Sequence, residues 1–94
     1  MGALPPIALG VIALADQVRA HLVRGELTGR TVARLGTRGT RYDAEFAARL
    51  VLADVGYWLD QTERGGRTPG VEEWHELATQ LRAIEQVAST RGSL

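Results

Sequence analysis

Residues 43–88 read DAEFAARLVLADVGYWLDQTERGGRTPGVEEWHELATQLRAIEQVA, and the fold turns on how this stretch is read. Phe46, Ala47, Leu50, Val51, Ala53, Tyr57 and Trp58 recur at helical spacing, which predicts a helix over 42–63 capped by Thr40 or Asp43. Arg64-Gly65-Gly66-Arg67 is a turn short enough to bring the next element back alongside. Thr68-Pro69 supplies a cap followed by proline at the first helical position, and Glu72 and Glu73 fall where the helix dipole favours negative charge. Val71, Trp74, Leu77, Ala78, Leu81, Ile84 and Ala88 then form one apolar stripe on a helix over 69–88. The expectation is a long C-terminal antiparallel helical hairpin. Gly56 in the first of these helices costs about 0.5–1 kcal/mol relative to alanine, which a close helix crossing at that point would explain.

Working toward the N-terminus, Pro5-Pro6 opens a helix expected over 7–24, where the missing proline N–H costs nothing. Ile7, Leu9, Val11, Ile12, Leu14, Ala15, Val18 and Leu22 make it apolar on every side at its start, and Gly25 suits its C′ position. Such a helix needs cover on most of its circumference. Ala13-Leu14-Ala15 resembles a signal-peptidase site, but the segment before it lacks any Lys or Arg and Pro5-Pro6 interrupts the apolar run. That run, at roughly 12 residues, is also short of a bilayer span of about 30 Å. A buried helix in a cytoplasmic protein with no membrane contact is the expectation. Between the two regions, 28–35 reads as a short helix with Thr28 as cap, Val32 and Leu35 inward, and Arg30 and Arg34 outside. Thr31-Val32 alone is too short to argue for a sheet, 36–40 reads as a loop, and 89–94 as a frayed tail. The chain is thus expected to be one all-α domain over 1–94, a small three- or four-helix bundle.

Composition narrows the function more by exclusion than by assignment. The 94 residues contain no cysteine, which removes disulfides, thiolate nucleophiles and cysteine-based metal sites. Serine occurs only at Ser89 and Ser93, no nucleophile elbow is present, and the glycine-containing turns lack the lysine and preceding strand of a phosphate-cradling loop. No enzymatic activity, cofactor or small-molecule substrate is therefore inferred. All 11 basic residues are arginine and balance 11 acids, so no global field favours a polyanion. The charge is uneven along the chain, however: 19–49 holds seven Arg against Glu26, Asp43 and Glu45, whereas 50–94 holds four Arg against seven acids.

Three readings follow. A stapleless domain of this size with an apolar helix and several large rings suits a protein-interaction or assembly module, an accessory subunit, inhibitor or homo-oligomer, docking through Ile7, Val11, Leu14, Val18, Tyr57, Trp58 and Trp74. Alternatively, Arg30, Arg34, Arg38 and Arg41, interleaved with Thr31, Thr37, Thr40 and Tyr42, suit a nucleic-acid backbone; the bland alternative is that these arginines meet the acidic C-terminal half. The third is a metal site completed only in a symmetric dimer, because Glu72 and His75 give one Glu-x-x-His spacing and no second exists. His21 sits where an imidazolium complements a helix C-terminus, and Asp54 and Asp60 are placed to pair with Arg49 and Arg64.

Overall fold

The computed structural model describes residues 4–33 and 41–89. Three helices dominate: α1 (Pro6–Val23), α2 (Ala44–Glu63) and α3 (Val71–Ser89). Between α1 and α2 lie two short strands, β1 (Thr31–Ala33) and β2 (Arg41–Asp43), paired antiparallel with Val32 opposite Tyr42. The protein is mostly helical, with one small two-stranded sheet beside its three helices. The helix expected over 28–35 does not form. Gly29 takes φ +77°, outside the right-handed helical region, and 24–29 is a turn that delivers the chain to β1. β-Branched Thr31 and Val32 then pair with the chain arriving before α2, a partner no local reading supplies. Leu35 and the loop over 36–40 lie outside the described residues, as does 90–94; Ser89 itself is the last residue of α3, its hydroxyl donating to the Glu85 carbonyl at 2.9 Å.

The helix ends follow from their caps. Pro5 is the N-cap of α1 and Pro6 its first residue. Gly25 closes α1 with φ +73°: its N–H donates to Leu22 O at 3.1 Å and that of Glu26 to His21 O at 3.0 Å, the paired bonds of a Schellman motif. Gly65 repeats the device after α2, with φ +78° and the matching bonds Gly65 to Thr62 and Gly66 to Gln61. Of the two proposed caps for α2, Asp43 does the work, its carboxylate accepting from Phe46 N at 2.9 Å. The start of α3 differs from expectation. Pro69 is buried ahead of the helix, and the cap position belongs to Gly70, whose N–H donates back to Glu73 Oε1 at 2.8 Å.

Each helix contributes one stripe to the core. Ala8, Val11, Ala15 and Val18 come from α1, Ala44, Ala47, Ala48, Val51 and Val55 from α2, and Trp74, Leu77, Ala78, Leu81, Ile84 and Ala88 from α3. Leu27 in the turn and Val32 in β1 close one end. α1 packs on both α2 and α3, which also touch each other. The Cα envelope measures 46 × 28 × 19 Å. Helices pack 8–10 Å apart, so its short axis holds two layers, not a helix sheltered on all sides. α1 is accordingly a wall rather than a central rod, with Leu9 exposed and Ile7, Ile12 and Leu14 half-buried. As an 18-residue helix of mean hydropathy 1.3 it is long and apolar enough to cross a membrane by length and composition, which its uninterrupted apolar run taken alone is not.

Candidate interaction surfaces

The seven residues expected at an interface separate by burial. Val11, Val18 and Trp74 are enclosed in this chain's own core and present nothing to a partner, because the i, i+4, i+7 stripes that carry them face the neighbouring helices. Ile7, Leu14 and Trp58 are half-buried. Trp58 is also engaged: Tyr57 meets it edge-on at 5.1 Å between centroids, and the Arg67 guanidinium lies 5.6 Å over its ring. Only Tyr57 is open, 56% exposed.

Tyr57 does not stand alone. Phe46 and Leu50 on the same helix are 57% and 53% exposed, and Ala53 between them and Tyr57 is exposed as well. At 100° per residue Phe46, Leu50, Ala53 and Tyr57 fall within about 60° of one another, on the side of α2 opposite Val51 and Val55. α2 therefore carries two apolar faces, one in the core and one bare. Their spacing of four, three and four residues is that of a coiled-coil seam. Beside it, a groove of about 110 Å³ is lined by Tyr42, Phe46, Leu50, Asp54 and Gln80 among others. Two of the ion pairs flanking the seam close within the chain: Arg49 meets Glu45 at 3.0 Å and Arg64 meets Asp60 at 2.8 Å. The expected Arg49–Asp54 pair does not form, since a five-residue separation turns the two side chains 140° apart on a helix.

The second surface is at the sheet. Strand alternation buries Val32 and half-buries Tyr42 on one face, and turns Thr31 and Arg41 outward on the other. Arg41 Nη2 donates to Thr31 Oγ1 at 2.8 Å across the ladder. Gly25, Thr28, Gly29, Arg30, Thr31, Arg41 and Val87 surround an open trough of about 770 Å³. Among the described residues neither Arg30 nor Arg41 has a carboxylate within ion-pair distance. The other ion pairs with arginine are local: Arg19–Asp16 and Arg24–Glu26. Arg34 and Arg38 lie outside the described residues.

Beside the trough stands a titratable cluster that the sequence reading placed only in part. His21, at the end of α1, has Nδ1 2.5 Å from Glu26 and Nε2 3.0 Å from Glu85 of α3. A neutral imidazole carries one N–H, whereas the imidazolium offers both, so two carboxylates hold the protonated form. Hydrogen bonds to Glu26 and then Glu85 raise the His21 pKa above its ordinary 6.5 against the opposing effect of burial. Glu26 is bound by Arg24 at 3.0 Å and by His21, and its pKa falls from 4.5 to about 2. The helix-terminus position of His21 was visible in sequence; Glu85, 64 residues away, was not.

Compared with protein families, curated proteins and solved structures, the chain matches none, so the surfaces themselves carry the functional argument. Glu72 and His75 are both exposed on α3, and among the described residues no group of three or more His, Asp or Glu is arranged to hold a metal ion.

Proposed function

We propose that this protein is a non-enzymatic helical assembly module that pairs with a second copy of itself through the outer face of α2. The observation that carries the reading is the bare seam of Phe46, Leu50, Ala53 and Tyr57, opposite the core face of the same helix. In this reading α2 and α3 run as an antiparallel hairpin with α1 laid against both, and the seam is the free side of α2.

A second copy fits because the seam complements its own reverse. An antiparallel two-fold between residues 51 and 52 sets Phe46 against the partner's Tyr57, and Leu50 against the partner's Ala53. Aromatic meets aromatic, and a large side chain meets a small one. A two-fold interface requires this self-complementarity. The internal pairing of Arg49 with Glu45 and Arg64 with Asp60 reduces the charge beside the seam that would repel a copy. Exposed apolar stripes of this kind on small monomers mark contact sites. Sedimentation equilibrium tests the proposal: the unmodified chain sediments at twice 10.2 kDa, and Leu50→Glu, which leaves the core untouched, sediments at 10.2 kDa. A monomeric mass for the unmodified chain at tens of micromolar removes the reading.

A further inference from the structure

We infer that the trough between the 24–29 turn and the two strands is an oxyanion site that takes phosphate groups, with Arg30 and Arg41 as its cationic walls. Arg30 and Arg41 line one trough together with Thr28 and Thr31, and no described carboxylate lies within ion-pair distance of either arginine. Five of the seven trough residues are glycine, threonine or arginine of the turn and β1, so the lining is almost entirely polar.

Geometry reinforces the charge. The hydrogen bond from Arg41 Nη2 to Thr31 Oγ1 uses one of five guanidinium N–H donors and holds the group at the sheet face, leaving the others for a ligand. The planar guanidinium fork is the donor arrangement that matches phosphate oxygens. Arg30 is positioned from its backbone, whose carbonyl accepts from Ala44 N at 2.8 Å and so anchors the entry of β1 to the start of α2. Asp43, at the end of β2, accepts from Phe46 N at the N-terminus of α2, where the helix dipole also compensates it. Glu26 and Glu85 are occupied by Arg24 and His21. The trough is wide and open, which suits a phosphodiester backbone passing through it more than a small molecule enclosed by it. The same oxygens are offered by a free phosphorylated ligand, so the experiment separates the two sources.

The test is a titration of the full chain with three probes: inorganic phosphate, adenosine monophosphate and a fluorescent 20-base-pair DNA duplex, read by amide chemical shifts and by anisotropy. Saturable shifts at Gly29, Thr31 and Arg41 are expected with at least one probe. Duplex binding that weakens with salt identifies a nucleic-acid backbone, with each lost phosphate contact lowering the log–log slope by about 0.9. Shifts with phosphate or the nucleotide and none with duplex identify a small ligand in the same site. In either case Arg30→Ala with Arg41→Ala reduces affinity by about tenfold or more, since hydrogen bonds from charged donors are the strong ones. Thr31→Ala, a smaller change that frees the Arg41 fork, reduces it less, and far-ultraviolet circular dichroism verifies that both variants keep their helices. No saturable shift with any probe, or binding that the double variant leaves unchanged, overturns the assignment.

Discussion

His21 shows how much a single side chain can tie together in a domain without disulfides. Its ring joins the end of α1, the following turn through Glu26, and α3 through Glu85, with the Arg24 guanidinium 3.5 Å from Nδ1 and itself held by Glu26. The pH dependence follows from the direction of each shift. A raised histidine pKa stabilises the fold fully below the unfolded value of 6.5, and that stabilisation is lost as pH rises through the folded value. The lowered Glu26 pKa acts at the other limb: its contribution is present above 4.5 and is lost as pH falls toward about 2. The Tm difference between the unmodified chain and His21→Gln is therefore expected to be largest between pH 4.5 and 6.5 and to close at alkaline pH. A gap that widens above pH 8 contradicts the assignment of the charged imidazole.

At the scale of elements, two glycines give opposite expectations. Gly25 closes α1 at φ +73°, and a Cβ there meets nothing within 4 Å, so Gly25→Ala carries a backbone cost alone, about 1 kcal/mol by chemical denaturation. Gly56 lies inside α2 with nothing among the described residues within 4 Å of a Cβ, so none of the three helices crosses closely there and the explanation offered from sequence fails. Gly56→Ala is expected to stabilise the folded chain by about 0.5–1 kcal/mol. The same contrast marks what the sequence made legible. Three long helices, the Asp43 cap and the Gly25 terminus were readable because the periodic stripes and the residues that cap them lie within a few positions of one another. β1 was misread as helix because three residues carry too little period to identify a strand, and its partner stands ten residues on. Leu27, fully buried in a turn of glycines and polar residues, gave no periodic signal at all.

Across the whole molecule the surfaces divide by chemistry. The sheet end presents arginines without carboxylate partners among the described residues, and the outer face of α2 presents an uncharged seam. The candidate interface expected from sequence combined core and surface, because a stripe at helical spacing looks the same whether its own chain or another covers it. Val11, Val18 and Trp74 were covered from within, whereas Phe46 and Leu50, read only as part of the helical period of α2, stand exposed. Only the packing of α1 and α3 on one side of α2 separates these cases. With α2 apolar on two opposite faces in a protein about 19 Å thick, the uncovered face is the feature on which the proposed pairing rests.

The absence of cysteine makes the proposed pairing directly measurable. Chains carrying Leu50→Cys are mixed with differently tagged chains carrying Ala53→Cys, oxidised mildly, and compared with Gly10→Cys, whose site lies on the exposed side of α1. The antiparallel seam predicts that the mixed 50–53 disulfide forms faster than either self-paired product and faster than any product from the Gly10 variant. Equal rates for all combinations would contradict it.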